Sequence, residues 1–96
     1  MAIGFEWDPS KAASNLHKHG IDFYDATTVF DDPQRVAINV TKPEHGEIRY
    51  LLVGMMSNGR MAAVIYTIRK HRARIISARK VRQNEQRDYD RRKAAR

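Results

Sequence analysis

The sequence predicts an α+β fold: a small, mainly antiparallel twisted sheet with helices packed on it. Helix-start and helix-stop signals bracket the segment from Asp8 to Gly20. From Val36 onward, apolar residues alternate with polar or small ones, which is the period of a half-buried strand. Asn58-Gly59 separates two such runs, as in a tight hairpin. The predicted order is β-α-α-β-β-β-β-α, in one domain spanning residues 1–96.

Two helices are predicted in the first third of the chain. Asp8 can cap the first helix, and Pro9 fits its first position because the missing N–H would have no partner there. Gly20 ends that helix, since glycine readily takes the left-handed conformation. Asp22 caps a second helix, which the Asp31-Asp32-Pro33 segment stops.

Five strands and a third helix complete the prediction. Two large apolar side chains of the helical region, Leu16 and Phe30, are expected to fill a thin core. The predicted strands are 4–7, 36–40, 48–55, 61–68 and 74–79, with a turn at 70–72 and a last helix over about 81–92.

The charge is segregated along the chain. Residues 69–96 contain 12 of the 18 Lys and Arg residues and three acids, whereas residues 1–68 contain six bases and eight acids. A basic segment joined to a nearly neutral body is typical of a protein that binds a phosphate-rich partner. The alternative interpretation is a solvated basic helix without a specific ligand.

Several classes of protein are not favoured by the composition. The chain has no cysteine, so a disulfide framework, a thiolate zinc site and a cysteine nucleophile are excluded. His17 and His19 are two apart on a predicted helix and point in different directions, so no metal site is predicted. The N-terminal residues do not resemble a signal peptide, and no apolar stretch is long enough to span a membrane. We therefore expect a cytoplasmic protein with no cofactor.

An ordered set of short motifs resembles the BrnT-type toxins of bacterial type II toxin–antitoxin systems. The set extends over essentially the whole chain. Its members are the segments 5–9, 15–16, 18–21, 29–33 and 74–79, with Arg49, Tyr66, Thr67, Arg69, Glu85 and Tyr89.

The resemblance implies a RelE-like ribonuclease fold with a basic face that cuts RNA. It also implies a partner, a BrnA-like antitoxin with a ribbon-helix-helix DNA-binding part. Operator DNA would then be bound only through the toxin–antitoxin complex.

Three arginines are candidates for holding the scissile phosphate, because a guanidinium grips two phosphate oxygens and keeps its charge. Arg79 comes first: it ends a strand where a helix begins, and alternation places it on one face with Ser77 and Ile75. Arg69 and Arg49 follow. The alternative for Arg79 is an ion pair with Asp88 or Asp90, and for Arg69 a solvated position in a turn.

Two further residues are candidates for proton transfer or positioning. Glu85 could act as a base or hold Arg79 in position, and an ordinary helix acid is the alternative. Tyr66 could act as an acid or stack on a base, and a core position is the alternative. The residues expected to bind RNA without reacting are Lys80, Arg82, Arg74 and Lys70.

The resulting hypothesis is a metal-independent endoribonuclease that cuts mRNA, leaves a 2′,3′-cyclic phosphate and inhibits translation. The rival hypothesis is a non-catalytic basic module that binds nucleic acid or docks an antitoxin.

Overall fold

The computed structural model describes residues 3–95, so Met1, Ala2 and Arg96, at the ends of the predicted 1–96 domain, lie outside it. Two 3₁₀ helices, Thr27–Asp31 and Pro43–His45, accompany the main elements. The main elements are β1 Gly4–Glu6, α1 Pro9–His19, α2 Phe23–Ala26, β2 Val36–Asn39, β3 Tyr50–Met55, β4 Met61–Arg69, β5 Arg72–Arg79 and α3 Gln83–Ala94.

The five strands form one sheet in the order β1-β5-β4-β3-β2. β1 runs parallel to β5, and the other three pairs are antiparallel. The predicted α+β class, element order and mainly antiparallel sheet are therefore confirmed. Within residues 3–95, no helix has both the length and the apolar character needed to cross a bilayer.

The helix signals of the sequence act as predicted in α1. The Asp8 carboxylate accepts a hydrogen bond from the Ser10 N–H at 2.9 Å, and Pro9 is the first helical residue. Gly20 lies at φ 70°, and its N–H donates to the Leu16 carbonyl at 2.8 Å. The left-handed conformation at Gly20 turns the chain directly into α2.

The second predicted helix is shorter than expected. α2 ends at Ala26, and the next five residues form a 3₁₀ helix. The Thr27 and Thr28 hydroxyls donate to the carbonyls of Tyr24 and Asp25, at 2.7 and 2.6 Å. Threonine hydroxyls that bond nearby carbonyls compete with the regular helical pattern, which explains the early end of the α-helix.

β5 contains two features that the sequence did not reveal. It begins at Arg72, because Lys70 and His71 alone form the turn after β4, with φ of 50° and 65°. Two left-handed residues in succession match the twist of a tight hairpin.

Ile76 has no partner on β4, since Ser77 pairs with Ile65 and Ile75 with Tyr66. This bulge shifts the alternation, so Ile75 and Ser77 face opposite sides of the sheet.

One face of the sheet is covered by α1, α2 and the first 3₁₀ helix. Phe23, Val29, Leu52 and Val64 are fully or almost fully buried there. Phe30 packs against this core as predicted. The prediction for Leu16 is wrong: 47% of the residue is exposed, since α1 turns Ala12 and Asn15 toward the protein instead.

The opposite face is covered at one end only. α3 packs there on Leu51, Val53 and Ala63 through Tyr89. Tyr89 donates a hydrogen bond to Asp32 at 2.8 Å, and the same carboxylate accepts from the Met55 N–H at 2.7 Å. Burial and the Asp32 carboxylate raise the pKa of Tyr89 to about 12. Away from α3, this face is bordered by α1, through Lys11, and by the 3₁₀ helix Pro43–His45.

Asn15 closes a free edge of the sheet. β1 pairs only with the first residues of β5, up to Arg74. Beyond that point the Asn15 amide takes the place of a neighbouring strand: it donates to the Ala78 carbonyl at 2.8 Å and accepts from the Ala78 N–H at 3.1 Å. It also donates to the Ile21 carbonyl at 3.2 Å. One side chain thus joins α1, the start of α2 and β5.

We expect Asn15→Ala to lower the free energy of unfolding by about 2 to 4 kcal/mol. The substitution leaves two buried backbone groups of Ala78 without partners, at about 1 to 3 kcal/mol each. The matched control is Leu16→Ala, which shortens the exposed neighbouring side chain of the same helix. Urea unfolding measures both values, and equal losses would contradict the edge-closing role of Asn15.

Candidate nucleic-acid interface

Arginines gather on the uncovered half of the second sheet face. Arg74 pairs across the strands with Thr67, and Arg72 with Arg69, so these positions point to one side. Arg49 comes two residues before Leu51, which belongs to the same face. The structure therefore brings together two predicted catalytic residues, Arg49 and Arg69, and one predicted RNA-binding residue, Arg74.

A single carboxylate bridges Arg49 and Arg69. Glu47 Oε1 accepts from Nη2 and Nε of Arg69, at 2.8 and 3.2 Å, and Oε2 accepts from Nε of Arg49 at 3.3 Å. The hydrogen bonds from Arg69 and Arg49 lower the pKa of Glu47. Glu47 is therefore ionised at neutral pH and holds two guanidinium groups side by side.

A second acid holds the arginines of β5. Glu6, on the parallel strand β1, accepts from Nη1 of Arg74 at 2.8 Å and lies 3.8 Å from Nε of Arg72. Arg72 also donates to the Phe5 carbonyl at 3.1 Å. Neither Glu47 nor Glu6 is a candidate on sequence grounds. Glu47 bonds a residue 22 positions away, a pairing that only the sheet register creates.

Positive side chains from two other elements border this surface. Lys11 of α1 lines a small cavity of about 30 Å³ with Glu47, Arg49, Arg69 and Arg74. A neighbouring cavity of about 320 Å³ extends from Arg49 to Lys42 and His45 of the loop between β2 and β3. We call this surface the arginine cleft and define it by Arg49, Arg69, Arg74, Lys11 and Lys42.

One ring nitrogen of His45 is occupied by a local hydrogen bond. Its Nδ1 accepts from the backbone N–H of Lys42 at 3.0 Å, and the backbone N–H of His45 donates to the Lys42 carbonyl at 2.9 Å. Neutral His45 therefore carries its ring proton on Nε2, which leaves a donor for a ligand. In the sequence, Lys42 and His45 lie in the predicted loop 42–46, where His45 is also a weaker candidate for a proton carrier.

Arg79 and Glu85 form a separate cluster at the other end of the sheet. Nη1 and Nη2 of Arg79 donate to the two oxygens of Glu85, at 2.9 and 2.8 Å, and the Arg82 N–H adds a third bond at 2.8 Å. Arg79 pairs with Ala63, six residues before Arg69 on β4. The two clusters are thus about 20 Å apart along the strand.

The pair at Arg79 joins β5 to α3. Glu85 is 6% exposed and the Arg79 side chain 21%. The hydrogen bonds from Arg79 lower the pKa of Glu85 against the opposing effect of burial, and the same bonds raise the pKa of Arg79. The partner of Arg79 is therefore Glu85, not Asp88 or Asp90, and both ends of its guanidinium fork are occupied.

Tyr66 lies on the opposite face of the sheet from the arginines. Its ring packs edge-on against Phe30 at 4.8 Å and beside Tyr50 at 5.4 Å, between centroids. Burial raises the pKa of Tyr66, so its hydroxyl keeps its proton at neutral pH. The structure does not bring Tyr66 together with Arg49, Arg69 or Arg79.

The remaining predicted RNA-binding residues divide between the two ends of the sheet. Lys70 is exposed at the tip of the hairpin next to Arg69, at the end that carries the cleft. Lys80 and Arg82 are exposed where β5 passes into α3, at the far end. Among residues 3–95, no group of three or more His, Asp or Glu side chains is arranged to hold a metal ion.

The fold and the arginine cleft define a small basic α+β protein that can bind phosphate groups on an open sheet face. Residues 7–85 match the family described as the ribonuclease toxin BrnT of type II toxin–antitoxin systems. The chain therefore belongs to the BrnT family of ribonuclease toxins.

A solved structure supports this assignment. The chain is similar to the ribonuclease toxin BrnT of Brucella abortus, known from a crystal structure at 1.1 Å resolution, with 25% sequence identity and a TM-score of 0.65. The match covers 85% of this chain and 100% of the Brucella chain. The comparison with curated proteins gives no significant match.

We expect Glu85→Gln to lower the free energy of unfolding by about 3 kcal/mol at pH 7. This is the low end of the range for breaking a buried ion pair, because Arg79 keeps some contact with water. The folded-state pKa of Glu85 is lowered, so its contribution is present above the ordinary value near 4.5 and is lost as the pH falls through the folded-state value.

Denaturant unfolding between pH 7 and pH 3 measures this difference. The control is Asp88→Asn, which removes an exposed carboxylate 3.7 Å from Arg91 on the same helix and should change stability by less than about 0.5 kcal/mol. A difference between Glu85→Gln and the native protein that stays constant down to pH 3 would contradict the argument.

Proposed function

We propose that this protein is an endoribonuclease toxin that cuts single-stranded mRNA in the arginine cleft and so inhibits translation. The observation that supports the proposal most directly is the convergence of Arg49, Arg69 and Arg74 on an open, uncovered half of the sheet. The BrnT family is described as ribonuclease toxins, and this description supports RNA as the substrate class. In this proposal the toxin acts in the cytoplasm as one domain, residues 1–96.

The proposed reaction transfers the phosphate within the RNA chain. The 2′-hydroxyl loses its proton as its oxygen attacks the phosphorus, the bond to the 5′-oxygen breaks, and the 5′-oxygen takes up a proton. The products are a 2′,3′-cyclic phosphate and a 5′-hydroxyl. Arg69 and Arg49 would stabilise the charge that grows on the phosphate oxygens. These fixed cations supply the positive charge, so the proposed reaction requires no metal ion and no cofactor. Glu47 and His45 line the two cavities that meet at Arg49.

Glu47 also prepares the cleft for its substrate. It keeps Arg49 and Arg69 close together in the absence of RNA, although two neighbouring cations repel each other. The side chains of Arg69 and Glu47 are 50% and 20% exposed, so their ion pair is weak and a phosphate can replace one of its contacts. A preformed arrangement of this kind lowers the cost of ordering side chains when RNA binds.

In this proposal Arg79 and Glu85 stabilise the fold, and Tyr66 belongs to the core of the other face. Support comes from the occupied fork of Arg79 and from the packing of Tyr66 on Phe30. A catalytic role for Arg79 or Glu85 would require RNA to replace their buried ion pair, and Tyr66 lines a cavity on the other face of the sheet, away from the arginine cleft.

The proposed partner is a small BrnA-like antitoxin with a ribbon-helix-helix part. Type II toxins have protein antitoxins, and the net charge of +7 favours an acidic segment over the cleft. Operator DNA would be bound only through the complex with this antitoxin. The alternative proposal is a non-catalytic basic module, which the acid partners of Arg69 and Arg74 in the free protein favour.

We expect Arg69→Ala to reduce RNA cleavage by about 100-fold or more while leaving the melting temperature nearly unchanged. Loss of a group that stabilises transition-state charge typically costs about 100- to 1,000-fold in rate. Arg60→Ala is the control, since Arg60 is exposed in the turn before β4, remote from the cleft. Cleavage of a long single-stranded RNA by purified protein, in a buffer with a chelator, measures the rates.

The outcomes separate the two proposals. Cleavage by the native protein and by Arg60→Ala, and not by Arg69→Ala, supports the nuclease. RNA binding without any cleavage, together with loss of binding in Arg69→Ala, supports the non-catalytic module. Cleavage that stops when the chelator is added would overturn metal independence.

RNA binding should depend steeply on salt. A protein that binds a single strand through about three phosphates loses affinity with a slope of about −2 in a plot of log K against log salt, since each contact adds about −0.7. Arg69→Ala should flatten this slope by about 0.7, and Arg60→Ala should not change it. Titrations of a fluorescent oligonucleotide at several salt concentrations give the slopes. Equal slopes for all three proteins would place the phosphate contacts elsewhere.

A further inference from the structure

The cavity of about 320 Å³ beside Arg49 has a different character from the small charged cavity next to it. Its apolar side is formed by Val40, Ile65 and the bulged residue Ile76. All three are only partly buried, although they belong to the sheet and its edge. Half-exposed aliphatic side chains that line a concave surface favour a flat apolar ligand over water.

The rim of this cavity consists mainly of hydrogen-bond donors. The side chains of Lys42 and Arg49 are cations without acceptor atoms, and the His45 ring, whose Nδ1 accepts from the Lys42 N–H, keeps Nε2–H as its donor. Within the described residues, the two terminal nitrogens of Arg49 form no hydrogen bond, because Glu47 takes only its Nε. Ser77 adds a hydroxyl at the base of the cavity.

The two cavities share Arg49 and Ile76, so they are adjacent parts of one surface. A phosphate bound by Arg49 and Arg69 therefore lies next to the apolar cavity. This is the arrangement that one nucleotide requires, with its phosphate among cations and its base on apolar side chains.

We propose that the cavity lined by Val40, Ile65, Ile76, Ser77, Lys42 and His45 is a nucleobase site that prefers guanine. Guanine has two neighbouring acceptors, O6 and N7, on one edge, whereas adenine replaces one of them with a donor amino group. Donors from Lys42, Arg49 and His45 match two acceptors. The inference rests on the proposed ribonuclease function and adds the base at which the enzyme acts.

The test compares binding of uridine nonamers that carry one central guanosine, adenosine or cytidine. All sugars are 2′-O-methylated, so binding is measured without cleavage. The native protein should bind the guanosine oligomer about tenfold more tightly than the adenosine oligomer, within the range that a good pair of base contacts gives.

Two variants address the cavity. Ser77→Leu fills it from the open face of β5, and Lys42→Ala removes an exposed donor from its rim without touching the core. Both should reduce the guanine preference to less than about twofold. Ser77→Leu should keep the affinity for the all-uridine oligomer, whereas Lys42→Ala, which removes a cation of the arginine cleft, should also weaken the binding of every oligomer by a similar factor. Ser57→Leu is the matched control, since Ser57 is exposed in the turn between β3 and β4.

The outcomes also separate this inference from the proposed function. Cleavage of long RNA that needs Arg69, with equal binding of the guanosine and adenosine oligomers, would overturn the base site and leave the nuclease intact. A guanine preference that Lys42→Ala and Ser77→Leu retain would place the base elsewhere. Absence of both cleavage and oligomer binding in the native protein would overturn the proposed function and this inference together.

Discussion

The position of α3 decides what the second face of the sheet can do. The helix has little apolar surface of its own, so two buried polar contacts hold it in place: Arg79 with Glu85 at its start, and Tyr89 with Asp32 further along. Both lie at the end of the sheet where β3 and β4 join. Because the helix is fixed there, the other half of the face stays open. The arginine cleft occupies that open half.

In the arginine cleft, neighbouring cations repel one another, and their acid partners leave donors free to bind a ligand. Several cations crowd onto one end of three strands, and Glu47 and Glu6 offset part of their repulsion. These ion pairs are partly exposed to water, in contrast to the pair of Arg79 and Glu85 at the far end. The Arg79–Glu85 pair is shielded from water and occupies both Glu85 oxygens, so it fixes the position of α3. An exposed pair with donors left over can exchange a carboxylate for a phosphate.

The local part of the fold could be predicted from the sequence, and the site only in part. Caps such as Asp8 and Gly20 act within a few residues, so their signal is complete in the sequence. The bulge at Ile76 depends on pairing with β4, whereas simple alternation along the strand places Arg79 on one face with Ile75. The partner of Arg69 lies 22 residues away and follows from the sheet register, which no short segment of sequence contains. Glu85 lies only six residues from Arg79 and is a candidate partner in the sequence, but the docking of α3 decides between Glu85 and the alternatives Asp88 and Asp90.

Several of the motif residues by which the chain resembles the family are, in this structure, buried polar residues that hold elements together. Asn15 closes the edge of β5, Asp32 binds Tyr89 and the Met55 N–H, and the buried Thr67 hydroxyl donates to the Ile48 carbonyl at 2.6 Å. A buried polar group needs a specific partner, so its residue type and position are tightly constrained. The motifs also include the cleft arginines Arg49, Arg69 and Arg74, whose carboxylate partners are Glu47 and Glu6. The sequence alone does not show which motif residues are buried. The fold separates the buried polar residues, which hold its elements together, from these arginines, which it leaves uncovered.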